Sequence, residues 1–164
     1  MRRLALTLLC LFVPVLVLMG VRGNEINKVV CEKPTYDEDM LWSIDSLSLE
    51  DSSLSISGYL AKKGESQWYP QSNKAVWLID EDNNMYQLST SEVNIGGIDN
   101  NEDGQRYAYS GFSCSVSLQS LLPHSSSSYT VLLVYELRGD LFAVDTGIQL
   151  IRQDGSFVIS PEQK

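Results

Sequence analysis

From Phe112 to Leu118 the chain reads Phe-Ser-Cys-Ser-Val-Ser-Leu, with apolar and hydroxyl-bearing residues changing places at every step. That period of two belongs to an extended strand with one buried face. A helix would scatter Phe112, Cys114, Val116 and Leu118 around its surface instead of aligning them. The alternation predicts that the Cys114 side chain points inward. Leu54-Ser55-Ile56-Ser57-Gly58-Tyr59-Leu60 repeats the pattern, with Leu54, Ile56 and Leu60 on one side. The run Tyr129 to Leu137 is apolar on nearly both faces and rich in β-branched and aromatic residues, which is the character of a central strand.

Turn chemistry separates such runs at short intervals. Glu50-Asp51-Ser52 joins Trp42–Leu49 to Leu54–Leu60, and Asp82-Asn83-Asn84 divides Val76–Ile79 from Met85–Leu88. Gly139-Asp140 precedes Leu141–Val144. Asp154-Gly155 is the strongest hairpin signal, because a tight type I′ turn needs positive φ at both central residues. One helical turn is expected at Leu118–Leu122, stopped by Pro123. Eight or nine short strands with no amphipathic helix predict an all-β, antiparallel sandwich of immunoglobulin-like type over residues 40–164. Residues 24–39 read as an extended N-terminal arm. Ser91 to Arg106 reads as a long polar loop, the kind of segment that carries function.

The first residues bear on location. Arg2 and Arg3 precede an uncharged apolar run, Leu4 to Val21, followed by Arg22-Gly23-Asn24. This is the layout of a secretory signal cleaved after Gly23, and the alternative is an uncleaved N-terminal membrane anchor. Neither Leu8-Leu9-Cys10 nor Val29-Val30-Cys31 has the small residues that lipid attachment requires. Removing residues 1–23 leaves 141 of the 164 residues, with nine Lys and Arg against 21 acidic residues, a net charge of −12. Such a chain is a poor ligand for nucleic acid or for an anionic membrane surface. Cys10 would leave with the signal. In an oxidising compartment the remaining even pair predicts a Cys31–Cys114 disulfide, contributing roughly 4–5 kcal/mol through its long loop.

The residues argue against catalysis. His124 is the single histidine, and no G-x-S-x-G, HExxH or C-x-x-C motif occurs. With 21 acidic residues, a carboxylate pair that converges by chance says little about glycoside hydrolysis. Asp99, Asn101 and Asp103, followed by Gly104, match the first half of a calcium loop, D-x-N-x-D-G. The twelfth position is Ser110 rather than the bidentate Glu, so calcium is an alternative expectation beside a solvated acidic turn. Trp42 and Trp77 are expected to fill the sandwich core. Trp68-Tyr69-Pro70 lies in a polar connection, and Trp68 and Tyr69 are the candidate ligand contacts.

Ile44-Asp45-Ser46-Leu47, Leu54–Leu60, Ser110-Gly111-Phe112, Tyr129-Thr130-Val131 and Val144-Asp145-Thr146-Gly147 carry a resemblance covering residues 44–149. They resemble the small immunoglobulin-like accessory domains of bacterial cell-surface and glycosyltransferase proteins. There an "isGw" strand opens the core, an "sGF" strand leads to a "GtY" strand, and a hairpin ends near "DTG". The chain departs from that pattern at Ser127-Ser128, where a glycine usually precedes the tyrosine. The resemblance implies an envelope-associated module with an adhesive or supporting role and transfers no catalytic residue. The expectation is therefore a secreted, non-enzymatic module that binds cell-surface glycan or an envelope protein. A small extracellular hydrolase or calcium-dependent domain using loop 91–106, and an adhesin-like subunit pairing through an edge strand, are the alternatives.

Overall fold

The computed structural model describes residues 26–31, 33–67, 73–95, 99–100, 105–122 and 125–161. The expected signal, residues 1–23, lies outside them. Thirteen strands occur among the described residues: β1 (Ile26–Val29), β2 (Thr35–Tyr36), β3 (Met40–Glu50), β4 (Ser53–Lys62), β5 (Asn73–Asp80), β6 (Met85–Leu88), β7 (Thr90–Val93), β8 (Asp99–Asn100), β9 (Gln105–Arg106), β10 (Gly111–Ser117), β11 (Ser128–Leu137), β12 (Asp140–Gln153) and β13 (Ser156–Pro161). They exceed the eight or nine expected from sequence because several are two to four residues long, too short to display alternation.

A seven-stranded sheet runs β1-β6-β5-β11-β12-β13, with β2 also beside β12, and a four-stranded sheet runs β3-β4-β10-β7. All pairs are antiparallel except β2 with β12. The sheets pack face to face through the residues that the alternation selects. Leu54, Ile56 and Leu60 from β4 and Phe112, Cys114 and Val116 from β10 meet Val76, Leu78, Tyr129, Val131, Leu133 and Tyr135 from β5 and β11. Burying each Leu, Val or Phe contributes about 1.5–3 kcal/mol, so this layer is the main source of stability. A 3-10 helix, Leu118–Leu121, closes it below β10 and buries Leu118 and Leu121.

The turns follow their residues. Asp51 and Ser52, Arg138 and Gly139, and Asp154 and Gly155 all take positive φ, so three strand pairs are joined by the tight turns their sequences favour. The second of these falls one residue before the Gly139-Asp140 turn read from the sequence, and the third falls where the sequence puts it. On β3 a bulge leaves Asp45 between Ile44, opposite Gly58, and Ser46, opposite Ser57. There the strands approach so closely that a Cβ on Gly58 would lie 2.0 Å from the Ser43 carbonyl oxygen.

β11 is apolar on both faces because the outer face of the larger sheet is also covered. Trp77, Met85, Leu132, Val134 and Ala143 form a second buried cluster there, with Val29, Ala75, Ile79 and Leu141 against it. The N-terminal arm supplies part of the cover. β1 pairs with β6 at one edge and β2 pairs with β12 at the other, and between them Pro34 is buried beside Ile79 and Leu132. The arm thus crosses the sheet as a strap. Its Lys33 donates to the Asn83 side chain at 2.5 Å, and Lys28 donates to Asn84 at 2.8 Å.

Two expectations are corrected here. Trp77 is buried, but beneath the outer face rather than between the sheets, because it alternates with the inward Val76 and Leu78; Trp42 is 37% exposed. No disulfide joins Cys31 to Cys114. Cys114 faces the space between the sheets, whereas Cys31 follows β1 on the exposed surface of the other sheet, so the two thiols occupy different layers. Burial pushes the Cys114 thiol up to about 12, against a smaller opposing effect of a hydrogen bond with Thr90.

Candidate functional site

Three connections meet at one end of the sandwich through their described residues: 63–67 after β4, 94–95 and 105–110 between β7 and β10, and the Arg138-Gly139 turn. They are tied through the main chain. The Gln67 amide donates to the Arg106 carbonyl at 2.8 Å, and the Tyr109 amide donates to the Gln67 carbonyl at 3.2 Å. Ser66 Oγ donates to the same Arg106 carbonyl at 3.2 Å. Arg138 Nη2 lies 3.8 Å from Glu65 Oε2, bringing the third connection alongside. Within the 94–110 connection β8 pairs with β9, and the Ile95 amide donates to Ala108. The segment expected as a loop over 91–106 therefore begins as a strand, because Ser91–Val93 pair with Gly111–Ser113 of β10.

Beneath this surface lies a polar layer that a sandwich end does not require. Gln67 is 2% exposed and its Nε2 donates to the Tyr135 hydroxyl at 2.7 Å. Its Oε1 has no hydrogen-bond partner among the described residues. The buried Tyr107 hydroxyl accepts from the Gly64 amide at 3.1 Å, and Ser110 Oγ donates to the Tyr107 carbonyl at 2.7 Å. Lys74 shares the inward parity of Val76 and Leu78, so its stem enters the interior and its Nζ meets Glu92 Oε1 at 2.9 Å. Its ammonium lies 6.0 Å from the centre of the Tyr135 ring. Burial pushes Lys74 below its ordinary value, and Glu92 opposes that shift. Desolvating an ammonium costs several kcal/mol, which the partly solvated Glu92 offsets through a short charge-assisted bond.

This arrangement brings Gln67 beside Arg106 of the 91–106 segment singled out in the sequence. Gln67 immediately precedes Trp68, and Asp99 heads β8 as the Cα partner of Arg106. Trp68, Tyr69, Asn101, Asp103 and His124 lie outside the described residues. Among the described residues no group of three His, Cys, Asp or Glu side chains is arranged to hold a metal. Sequence reasoning missed Gln67, Lys74, Glu92, Tyr107 and Tyr135. A signal for Lys74 existed: a lysine in phase with Val76 and Leu78 must either break the strand pattern or find a buried partner.

The opposite end is held by Asp80, also in phase with Leu78 and 5% exposed. Its Oδ1 accepts from the Asp82 amide at 3.0 Å and the Asn84 amide at 2.7 Å. Its Oδ2 accepts from Asn84 Nδ2 at 2.9 Å, Ser126 Oγ at 3.1 Å and the Tyr86 hydroxyl at 3.4 Å. This node fixes the β5–β6 turn and the start of β11; its carboxylate is saturated with donors, which marks it as structural. No family model, curated protein or solved structure matches the chain.

Proposed function

We propose that the protein is an exported, non-enzymatic, immunoglobulin-like module that binds a cell-surface glycan or an envelope protein through the sandwich end formed by residues 63–67, 105–110 and 138–139. The strand orders support the fold assignment. β3-β4-β10-β7 corresponds to an A-B-E-D sheet and β6-β5-β11-β12 to a C′-C-F-G sheet. Tyr129 opens the F-like strand, and two residues on, where antibody domains carry their second cysteine, stands Val131. In that frame the three tied connections are the B–C, D–E and F–G loops, the end at which such domains present binding loops.

The observation that carries the reading is the pair of main-chain bonds between Gln67 and the Arg106–Tyr109 segment. They hold two long connections as one surface, and preorganised loops bind at lower entropic cost. Export is supported by Arg2, Arg3 and the apolar run that follows. To test binding, the purified protein is titrated with solubilised cell-wall polysaccharide and with detergent-extracted envelope proteins, beside Trp68→Ala and Tyr109→Ala variants. Saturable binding weakened at least about tenfold by either variant is expected. Equal binding by all three proteins, or none to either preparation, overturns the proposal.

A further inference from the structure

The strap across the larger sheet borders a partly open cavity of about 160 Å³ between the arm and strands β5, β11 and β12. Its apolar lining comes from Pro34, Ile79 and Leu132. Its polar lining comes from Lys33, Asn83, Thr130 and Asp145, and Tyr36, itself 62% exposed, stands at the rim. We propose that this cavity is a binding site for one neutral pyranose ring, distinct from the loop end of the sandwich.

The lining chemistry selects that class of ligand. A pyranose has an aliphatic C–H face and hydroxyls around its edge, each able to donate and accept. The Pro34 and Ile79 side chains and the Tyr36 ring suit the first, and the Asp145, Asn83 and Thr130 side chains suit the second. A metal ion would need several oxygen ligands of high charge, yet among the described residues Asp145 is the one carboxylate in the lining. A phosphate would need clustered cations, yet among the described residues the lining holds one, Lys33, which already donates to Asn83. Among the described lining residues one carboxylate stands beside one ammonium, a balance that suits a neutral occupant. Size limits it further, since sites for drug-sized molecules run about 300–1,000 Å³ and this cavity holds a single ring.

The site is built rather than incidental. Asp145 Oδ1 accepts from the Gly147 amide at 2.9 Å, which fixes the carboxylate on the bulge where Thr146 and Gly147 are inserted opposite the Val131–Leu132 step. The Asn83 side chain is held by Lys33. The Tyr36 phenol is a proton donor at neutral pH, as any tyrosine is, and burial and then the nearby Asp145 charge push it further up. A second cavity of about 360 Å³, which also touches Lys33, lies beside Thr35 and Phe142 and reaches the Gly139 turn of the loop end, so it is no part of this site.

The test titrates the isotopically labelled protein with the methyl glycosides of glucose, galactose and N-acetylglucosamine, following amide shifts by NMR. Saturable shifts centred on Asn83, Thr130 and Asp145 are expected for at least one sugar, with Kd on the order of 1 mM. Tyr36→Ala and Asp145→Asn should each weaken binding about tenfold with an unchanged melting temperature; Asp145→Asn retains the oxygen that accepts from Gly147. Trp68→Ala should bind as wild type, so failure here and failure at the loop end are separately readable. No saturable shift with any of the three sugars, shifts centred elsewhere, saturation by a nucleoside control instead, or wild-type binding by both strap variants overturns the proposal.

Discussion

Replacing Asp80 separates a structural carboxylate from a merely buried one, because its two oxygens do different work. Asp80→Ala removes all five donors' partner, leaving the Asp82 and Asn84 amides of the β5–β6 turn without their acceptor. Hydrogen bonds to charged groups are worth about 1.5–3 kcal/mol each and are not additive within one node, so the expected loss is about 3–4 kcal/mol. Asp80→Asn keeps an oxygen for the two amides and loses chiefly the Asn84 Nδ2 bond, since the Ser126 and Tyr86 hydroxyls can rotate to accept; about 1–2 kcal/mol is expected. Burial pushes this carboxyl up, but the bonds from Asn84, Ser126 and Asp82 together outweigh it and hold its pKa below the ordinary value. The folded state therefore binds its proton less readily than the unfolded chain. The advantage of wild type over Asp80→Asn is fully present above about pH 3.9 and disappears as pH falls through the folded value. Urea unfolding followed by tryptophan fluorescence at pH 7 and on descending into acid measures both effects. Equal losses for Ala and Asn, or a difference from Asn that grows toward low pH, would refute the assignment of roles to the two oxygens.

Three other outcomes are expected. Gly58→Ala should cost about 2–3 kcal/mol by urea denaturation, because its Cβ meets the Ser43 carbonyl; an unchanged midpoint would mean that the bulge at Asp45 relaxes freely. Glu92→Gln should destabilise by about 2 kcal/mol and Lys74→Met by less, since only the first strands a buried charge. Because burial holds Lys74 below its ordinary value, the unfolded chain carries the extra proton and this group makes stability rise with alkaline pH up to its unfolded pKa; Lys74→Met should lose that rise, and retaining it counts against the assignment. At pH 8 a thiol reagent should modify Cys31 in the native protein and Cys114 only after unfolding, as read by peptide mass; native modification of Cys114 contradicts its burial.

The layers of the sandwich were legible because hydroxyl and apolar residues alternate without error along β10 and from Ser53 to Ser57 of β4, and parity there names the inward side chains. Parity also carried information that residue size concealed. Trp77 sits between Val76 and Leu78 and so belongs to the outer face, although a tryptophan on a central strand invites assignment to the main core. The disulfide expectation rested on an even count in an oxidising compartment, and counting says nothing about which sheet each cysteine joins. At the loop end, the 63–72 and 94–110 connections were visible as breaks in periodicity. Their union through Gln67 and Arg106 was not, since main-chain bonds between irregular segments leave no trace in side-chain pattern. The strap was equally hidden, because four-residue β1 and two-residue β2 are too short to show a period.

The strap also sets an order of assembly. The strap is made long before its neighbours: Ile26 needs Leu88, and Thr35 needs Phe142 of β12. Contacts between such distant positions form slowly. The larger sheet can close over its outer face only once β12 has been made, so the strap stays pliable until the strand that holds its far end arrives.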